Sequence, residues 1–218
     1  MEVVLASASP ARLAVLRAAG VEPTVSVSRV DEDAVLAALG PRVGHEEAVV
    51  ALARAKAEDV ATSVPGPAVV IGCDSMLSIG GELVGKPHTV DVARERWRAM
   101  AGCDGRLLTG HCVLLVEDRA VIASAAGTGT TTLRFASPST AELEAYLASG
   151  EPLEVAGAFT LDGLGGWFIE NVDGAPSSVI GISLPLTRAL LRELGVDIAA
   201  LWAGPRSGSA RADYPSNY

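Results

Sequence analysis

MEVVLASASPARLAVLRAAG, residues 1–20, is the stretch whose reading decides the fold class. Val3, Val4 and Leu5 are consecutive apolar residues, so Met1–Ala6 is predicted as a buried strand. Ser9 offers a hydroxyl that can cap a helix. Pro10 suits a first helical position, because it lacks an N–H that would go unpaired there. The helix is expected to reach about Ala19, with Leu13 and Leu16 inward and Gly20 as its stop. A buried strand, a small polar turn and a helix form the building unit of an α/β protein.

Outward from this unit the alternation continues. A strand is predicted at Thr24–Ser28, followed by the acidic turn VDED at Val30–Asp33. A long helix is expected over His45–Thr62, its inward stripe running through Val49, Leu52, Ala53, Lys56 and Val60. Ala68–Cys73 reads as a buried strand ending at Asp74 and Ser75. A hairpin with Gly80–Gly81 at its tip, the tripeptide GKP at 85–87 and a helix near Asp91–Ala101 come next. Strands are predicted at His111–Glu117, Ala120–Ala125 and Thr130–Phe135. Ser139 and Glu142 form a capping box opening a helix that Gly150 closes. A glycine-rich section from Gly157 to Gly174 holds a strand at Trp167–Val172, and a last helix is expected at Leu186–Leu194. No internal repeat or linker interrupts residues 1–203, which read as one α/β domain. Residues 204–218 have too little apolar content to order themselves.

Composition narrows the function classes. The chain has 218 residues, 49% hydrophobic and 20% charged, enough for a sizeable core. Its net charge of −9, with no interleaving of basic and aromatic residues, argues against a nucleic-acid surface. The start is acidic, its apolar run is too short for a signal peptide, and no run is long enough to span a membrane. Three widely spaced cysteines without CxxC fit reduced thiols in the cytoplasm.

Several residues could carry chemistry. A small polar turn at a helix start offers unpaired N–H groups to an anion; Ser7 and Ser9 add hydroxyls and Arg12 a charged fork. Simple capping by Ser9 with a solvated Arg12 explains the same residues. Asp74, at the end of an apolar strand, could hold a divalent metal or take a proton from water, or cap a turn. Asp31, Glu32 and Asp33 could join it as ligands or merely start a helix. Lys56 lies on or beside an apolar face, where it either snorkels or aims into a pocket. Lys86 could place a point charge on phosphate or sit on a surface turn. His45, His88 and His111 show no metal spacing and read as ordinary histidines, and Cys73 as a buried strand thiol.

LASASPARL, VDED with ALARAKA, GCDSM, LVGKP, TGH, EAYLASGEPLEVAGAFTLDGLGGWFIENVDG and SSVIGISLPL occur in this order over residues 3–203. In that order they resemble the Maf family of nucleotide pyrophosphatases, also called septum formation proteins, with wording similar to an actinobacterial branch. The resemblance implies an elongated α/β fold, related to inosine-triphosphatase-like proteins, with a cleft between two lobes. It also implies hydrolysis of nucleoside triphosphates between the α and β phosphates. By the same resemblance Ser7, Arg12, Lys56 and Lys86 bind substrate, and Glu32 and Asp74 hold Mg²⁺ or Mn²⁺. Asp74 is further implied to act as general base. The chain departs from the uridine- and thymidine-nucleotide branch at Ala11, Ser75 and Asp162, so base preference is expected to differ, with modified or non-standard bases as candidates. A homodimer is implied without any residue pattern marking its interface. A nucleotide-binding regulator of septum formation, with incidental hydrolysis, is the alternative.

Overall fold

The computed structural model describes residues 1–40 and 42–202, so the tail expected over 204–218 lies outside the described residues. β1 (Glu2–Ala6) leads into α1 (Pro10–Ala18), then β2 (Thr24–Val25), α2 (Glu32–Leu39) and α3 (His45–Ala61). β3 (Ala68–Ile79) and β4 (Glu82–Val84) form a hairpin, followed by α4 (Val90–Met100). β5 (Asp104–Glu117), β6 (Ala120–Phe135), α5 (Thr140–Ala148), β7 (Ile169–Asp173), α6 (Pro176–Ile180) and α7 (Leu184–Glu193) complete the order. The strands make one mixed sheet, ordered β2-β1-β3-β5-β6-β7, with β4 on the free stretch of β3. β1 runs parallel to both β2 and β3, while β5, β6 and β7 are antiparallel to their neighbours. This is the mixed α/β class expected.

Most boundaries follow the sequence logic. Ser9 caps α1 through the Arg12 N–H, and Ser139 and Glu142 make the reciprocal capping box of α5. Gly80 and Gly81 have φ of 60° and 86°, the conformation a two-residue hairpin turn needs.

Five expectations need correction. The strand Thr24–Ser28 shortens to Thr24–Val25, because β2 is an edge strand pairing only Val4 and Leu5 of β1. β3 does not stop at Cys73–Asp74; antiparallel pairing with β5 carries it to Ile79. The predicted His111–Glu117 strand begins at Asp104, and the two strands of 120–135 are one. Trp167 and Phe168 lie in a short 3₁₀ turn, Leu164–Phe168, so the strand starts at Ile169.

Alternation along β3 distributes the core. Val69, Ile71 and Cys73 face α1 and α7 residues such as Leu16, Leu190 and Leu191. Val70 and Ala68 face Ala53, Ala57 and Val60 of α3. Beyond Asp74, Leu77 joins a third cluster with Trp97 of α4, Phe135 and Leu147. Edge-to-face contacts of Trp97 with Phe135, Tyr146 and Phe168 fix this cluster, and its indole N–H donates to the Ala158 carbonyl at 2.7 Å. No helix among the described residues is long and apolar enough to cross a membrane.

Candidate active site

β1 ends at Ala6 opposite Gly72, and β3 runs on past it. Ser7 and Asp74 therefore emerge side by side where the parallel pairing stops, the carboxyl end at which open α/β sheets gather ligands. Asp74 was expected at a strand end; it sits instead inside β3, opposite Gly110 of β5. The end that matters is that of the parallel half of the sheet.

Lys56 reaches this point because α3 lies unusually low on the sheet. A Cβ at Gly72 would come 2.2 Å from the Ala53 carbonyl oxygen, and one at Gly110 would come 2.1 Å from that of Val49. Only glycine lets the helix backbone touch the strands here. Lys56 is thereby buried at 9% exposure beside Asp74 at 6%. Its ammonium stands 2.5 Å from Asp74 Oδ1 and 2.7 Å from Glu32 Oε1. Glu32 arrives on the first turn of α2, which Asp31 caps by accepting the Ala34 N–H. Asp31 is thus occupied in starting a helix, and Asp33 shares the exposed face of that turn.

Burial pushes the Asp74 carboxyl above its ordinary value, while Lys56 and Arg12 pull against it. Lys56 takes only Oδ1. The other oxygen, Oδ2, has no hydrogen-bond partner among the described residues and is not sealed from solvent. A carboxylate anchored by one oxygen and open at the other can receive a proton from a reacting water.

Ser7 closes the other side. Its Oγ accepts from the Ser9 N–H at 3.2 Å and from Arg12 Nη1 at 3.0 Å, so its own hydroxyl hydrogen is left to donate. Arg12 is half-buried, and its guanidinium is turned onto the protein. It donates from Nε to the Gly181 carbonyl, from Nη1 to Ser7 and the Cys73 carbonyl, and from Nη2 to Ser75 Oγ. Ser75 also bonds Thr109 Oγ1, and Thr109 donates to the Ser178 carbonyl. His111, fully buried, accepts the Ser183 N–H at Nε2 and meets the Thr109 carbonyl at Nδ1.

Ser7, Arg12, Glu32, Lys56, Asp74 and Ser75 are therefore brought together. Ala11 lies half-buried on the first turn of α1, next to Arg12. Lys86 is exposed just past β4, with a loose contact of 3.8 Å to Glu154, and no hydrogen bond or ion pair among the described residues joins it to the cluster. Asp162 is exposed in the glycine-rich loop and equally separate from the cluster. That loop is organised by Glu151, whose carboxylate accepts from the Thr160 hydroxyl and from the Leu164 and Gly165 N–H groups. Burial works against the Glu151 charge, but these donors hold the carboxyl below its usual range.

Sequence reasoning missed Thr109, Glu151 and the Gly181 carbonyl; it read His111 as an ordinary histidine, and the structure shows a buried one with both ring nitrogens partnered. A lone threonine in the apolar run LLTGHCVLL was a usable signal, since a buried hydroxyl needs a partner. A backbone carbonyl leaves no such mark.

The Maf-like protein profile matches residues 2–194. The chain is 64% identical to the nucleoside triphosphate pyrophosphatase of Rhodococcus jostii, covering 92% of this chain and 95% of that one. The chain belongs to the Maf family. It is also 62% identical to the Nocardia farcinica protein of the same name, over 93% of this chain and 97% of the other. Identity to the Mycobacterium tuberculosis protein of that name is 56%, over 95% and 96%. The family match takes in every site residue described above.

Proposed function

We propose that this chain is a nucleoside triphosphate pyrophosphatase, an enzyme that uses water to cleave between the α and β phosphates, yielding a nucleoside monophosphate and pyrophosphate. The observation that carries this reading is Asp74, buried, anchored at Oδ1 by Lys56 and open at Oδ2. Relatives matched over nearly the whole chain bear the name of that activity. A water at Oδ2 gives its proton to the carboxylate as its oxygen attacks the α phosphorus, and the bridging oxygen leaves with pyrophosphate. Ser7 donates its hydroxyl hydrogen to a phosphate oxygen, and Lys86, loosely paired, is free to follow the polyphosphate.

Charge bookkeeping supports a divalent ion. Lys56 and Arg12 are balanced by Asp74 and Glu32, so the cluster brings no net charge to a triphosphate carrying about four negative ones. No group of three or more His, Cys, Asp or Glu side chains among the described residues is placed to hold a metal. Two carboxylates sharing one ammonium still fit Mg²⁺, which is commonly bound through one or two carboxylates plus substrate phosphates. Glu32 and Asp74 would hold it, with Mn²⁺ as a substitute. When bound, the ion neutralises phosphate charge and stabilises the departing pyrophosphate. Base choice is assigned to Ala11, Ser75 and Asp162, with modified or non-standard bases as the candidate substrates. The free thiols, two of them buried, suit a cytoplasmic setting.

The test is a panel of standard, methylated and deaminated nucleoside triphosphates with Mg²⁺ or Mn²⁺, assayed for pyrophosphate. Pyrophosphate is expected, and Asp74→Asn is expected to lower kcat by about 100-fold or more while still binding nucleotide. Orthophosphate without pyrophosphate would overturn the bond assignment, and a near-normal Asp74→Asn rate would remove that residue from the chemistry.

A further inference from the structure

We infer that Arg12 is a positioning residue, which locks Asp74 and the Ser177–Ser183 segment into one rigid frame instead of serving chiefly as a phosphate ligand. Four of the five N–H groups of its guanidinium are spent on the protein itself, at 2.8 to 3.3 Å. Two of these go to the Cys73 carbonyl and the Ser75 hydroxyl, the residues flanking Asp74. A third crosses from α1 to the Gly181 carbonyl between α6 and α7, and the fourth holds Ser7.

The fork geometry is what makes this possible. A bidentate grip on phosphate needs two parallel N–H groups, and only one, on Nη2, is left. The segment reached through Gly181 is seated independently by His111 on the Ser183 N–H and by Thr109 on the Ser178 carbonyl. Gly181 has φ of 143°, and a Cβ there would stand 3.0 Å from Arg12 Cγ, so the Arg12 side chain lies directly on the Gly181 backbone. Arg12 therefore ties together three chain segments at one point, beyond their strand pairing and the bonds from β5: the β1–α1 turn, β3 around Asp74, and the α6–α7 turn.

The inference rests on the proposed function only in taking Asp74 as the reacting carboxylate. Its test compares Arg12→Lys with Arg12→Met by steady-state pyrophosphate release and by amide hydrogen exchange of the free protein. A phosphate ligand would be partly rescued by lysine, which keeps the charge; a clamp would not, because one ammonium cannot reach four acceptors so disposed. Both variants are expected to lose about 100-fold in kcat with KM changed less than about threefold. Peptides covering 72–76 and 177–184 are expected to exchange about tenfold faster in both. A lysine variant near wild type in kcat, or a rise in KM alone, would overturn the inference. So would unchanged exchange in the two segments. If the wild type released no pyrophosphate, the functional reading would fall, and the exchange measurement would still judge the clamp.

Discussion

His111 is a histidine built to stay neutral. Ser183 N–H must find a lone pair on Nε2, so the ring hydrogen sits on Nδ1, facing the Thr109 carbonyl at 2.9 Å. Burial pushes its pKa down to about 4, against an upward pull from the Thr109 carbonyl and with a smaller downward push from Arg12. Between the unfolded value of 6.5 and about 4, the unfolded chain binds the proton and the folded chain does not. Stability from this residue is thus complete above pH 6.5 and lost as pH falls towards 4, a swing of roughly 3 kcal/mol. Asp74, whose carboxyl is raised by burial, works in the opposite direction, so the comparison must be with a variant that keeps it. Urea unfolding at pH 7 and pH 4.5 is expected to show a loss roughly 2 kcal/mol steeper in wild type than in His111→Gln. Equal losses would show that another group titrates. The cysteines give a second residue-scale expectation. Burial pushes the Cys73 thiol up to about 12 and the Cys112 thiol up to about 11, whereas Cys103 is exposed. An aromatic disulfide reagent at pH 8 is expected to titrate one thiol in the native protein and three in denaturant. Rapid native reaction of all three would contradict the burial of the pair.

At the scale of elements, the contact between α3 and the sheet turns local sequence into a site. Gly72 and Gly110 let the helix lie directly on β3 and β5, and Lys56 reaches Asp74 because it does. Gly110→Ala is expected to cost about 1–3 kcal/mol in urea unfolding, since the methyl can only be housed by lifting the helix. Its kcat is expected to fall by about tenfold or more in protein that remains folded, as the ammonium is drawn off the carboxylate. An unchanged stability and rate would mean that the helix seat is softer than its geometry shows. The stripe of α3 was legible in the sequence, Lys56 included, because helical spacing is a local property. So were the caps at Ser9 and Ser139 and the Gly80–Gly81 turn. Strand ends were not. β3 outruns its apolar stretch because β5 supplies partners from far along the chain. Gly129, in the gap between the two strands predicted over 120–135, marks close packing: a Cβ there would stand 3.1 Å from Ser178 Oγ and 3.3 Å from Ser183 Cβ. For the site the division is the same. Residue types in motifs pointed to Ser7, Arg12, Glu32, Lys56 and Asp74, but three of the four acceptors that bind Arg12 come from distant segments and two of those are backbone carbonyls.

For the whole molecule, the decisive feature is that β3 and β5 run unbroken through both halves of the sheet. Their first paired stretch, from Ala68 with Val116 to Cys73 with His111, lies between α1 and α7 on one face and α3 on the other. The rest, as far as Ser78 with Arg106, packs on α4 and α5 around Trp97. Asp74 pairs with Gly110 at the junction, so the reacting carboxylate stands where the two packing regions share their strands. Neither half can lose its strands without taking register from the other, and unfolding is expected to be a single cooperative transition. Trp97 is buried in the α4–α5 half, whereas Trp167 is 85% and Trp202 55% exposed. Replacing the two exposed tryptophans by phenylalanine therefore leaves a fluorescence signal that belongs to one half alone. In that variant, urea transitions followed by Trp97 emission and by far-ultraviolet circular dichroism are expected to share one midpoint. Two separated midpoints would show that the halves unfold independently, and that the frame around Asp74 is made by docking and not by shared strands.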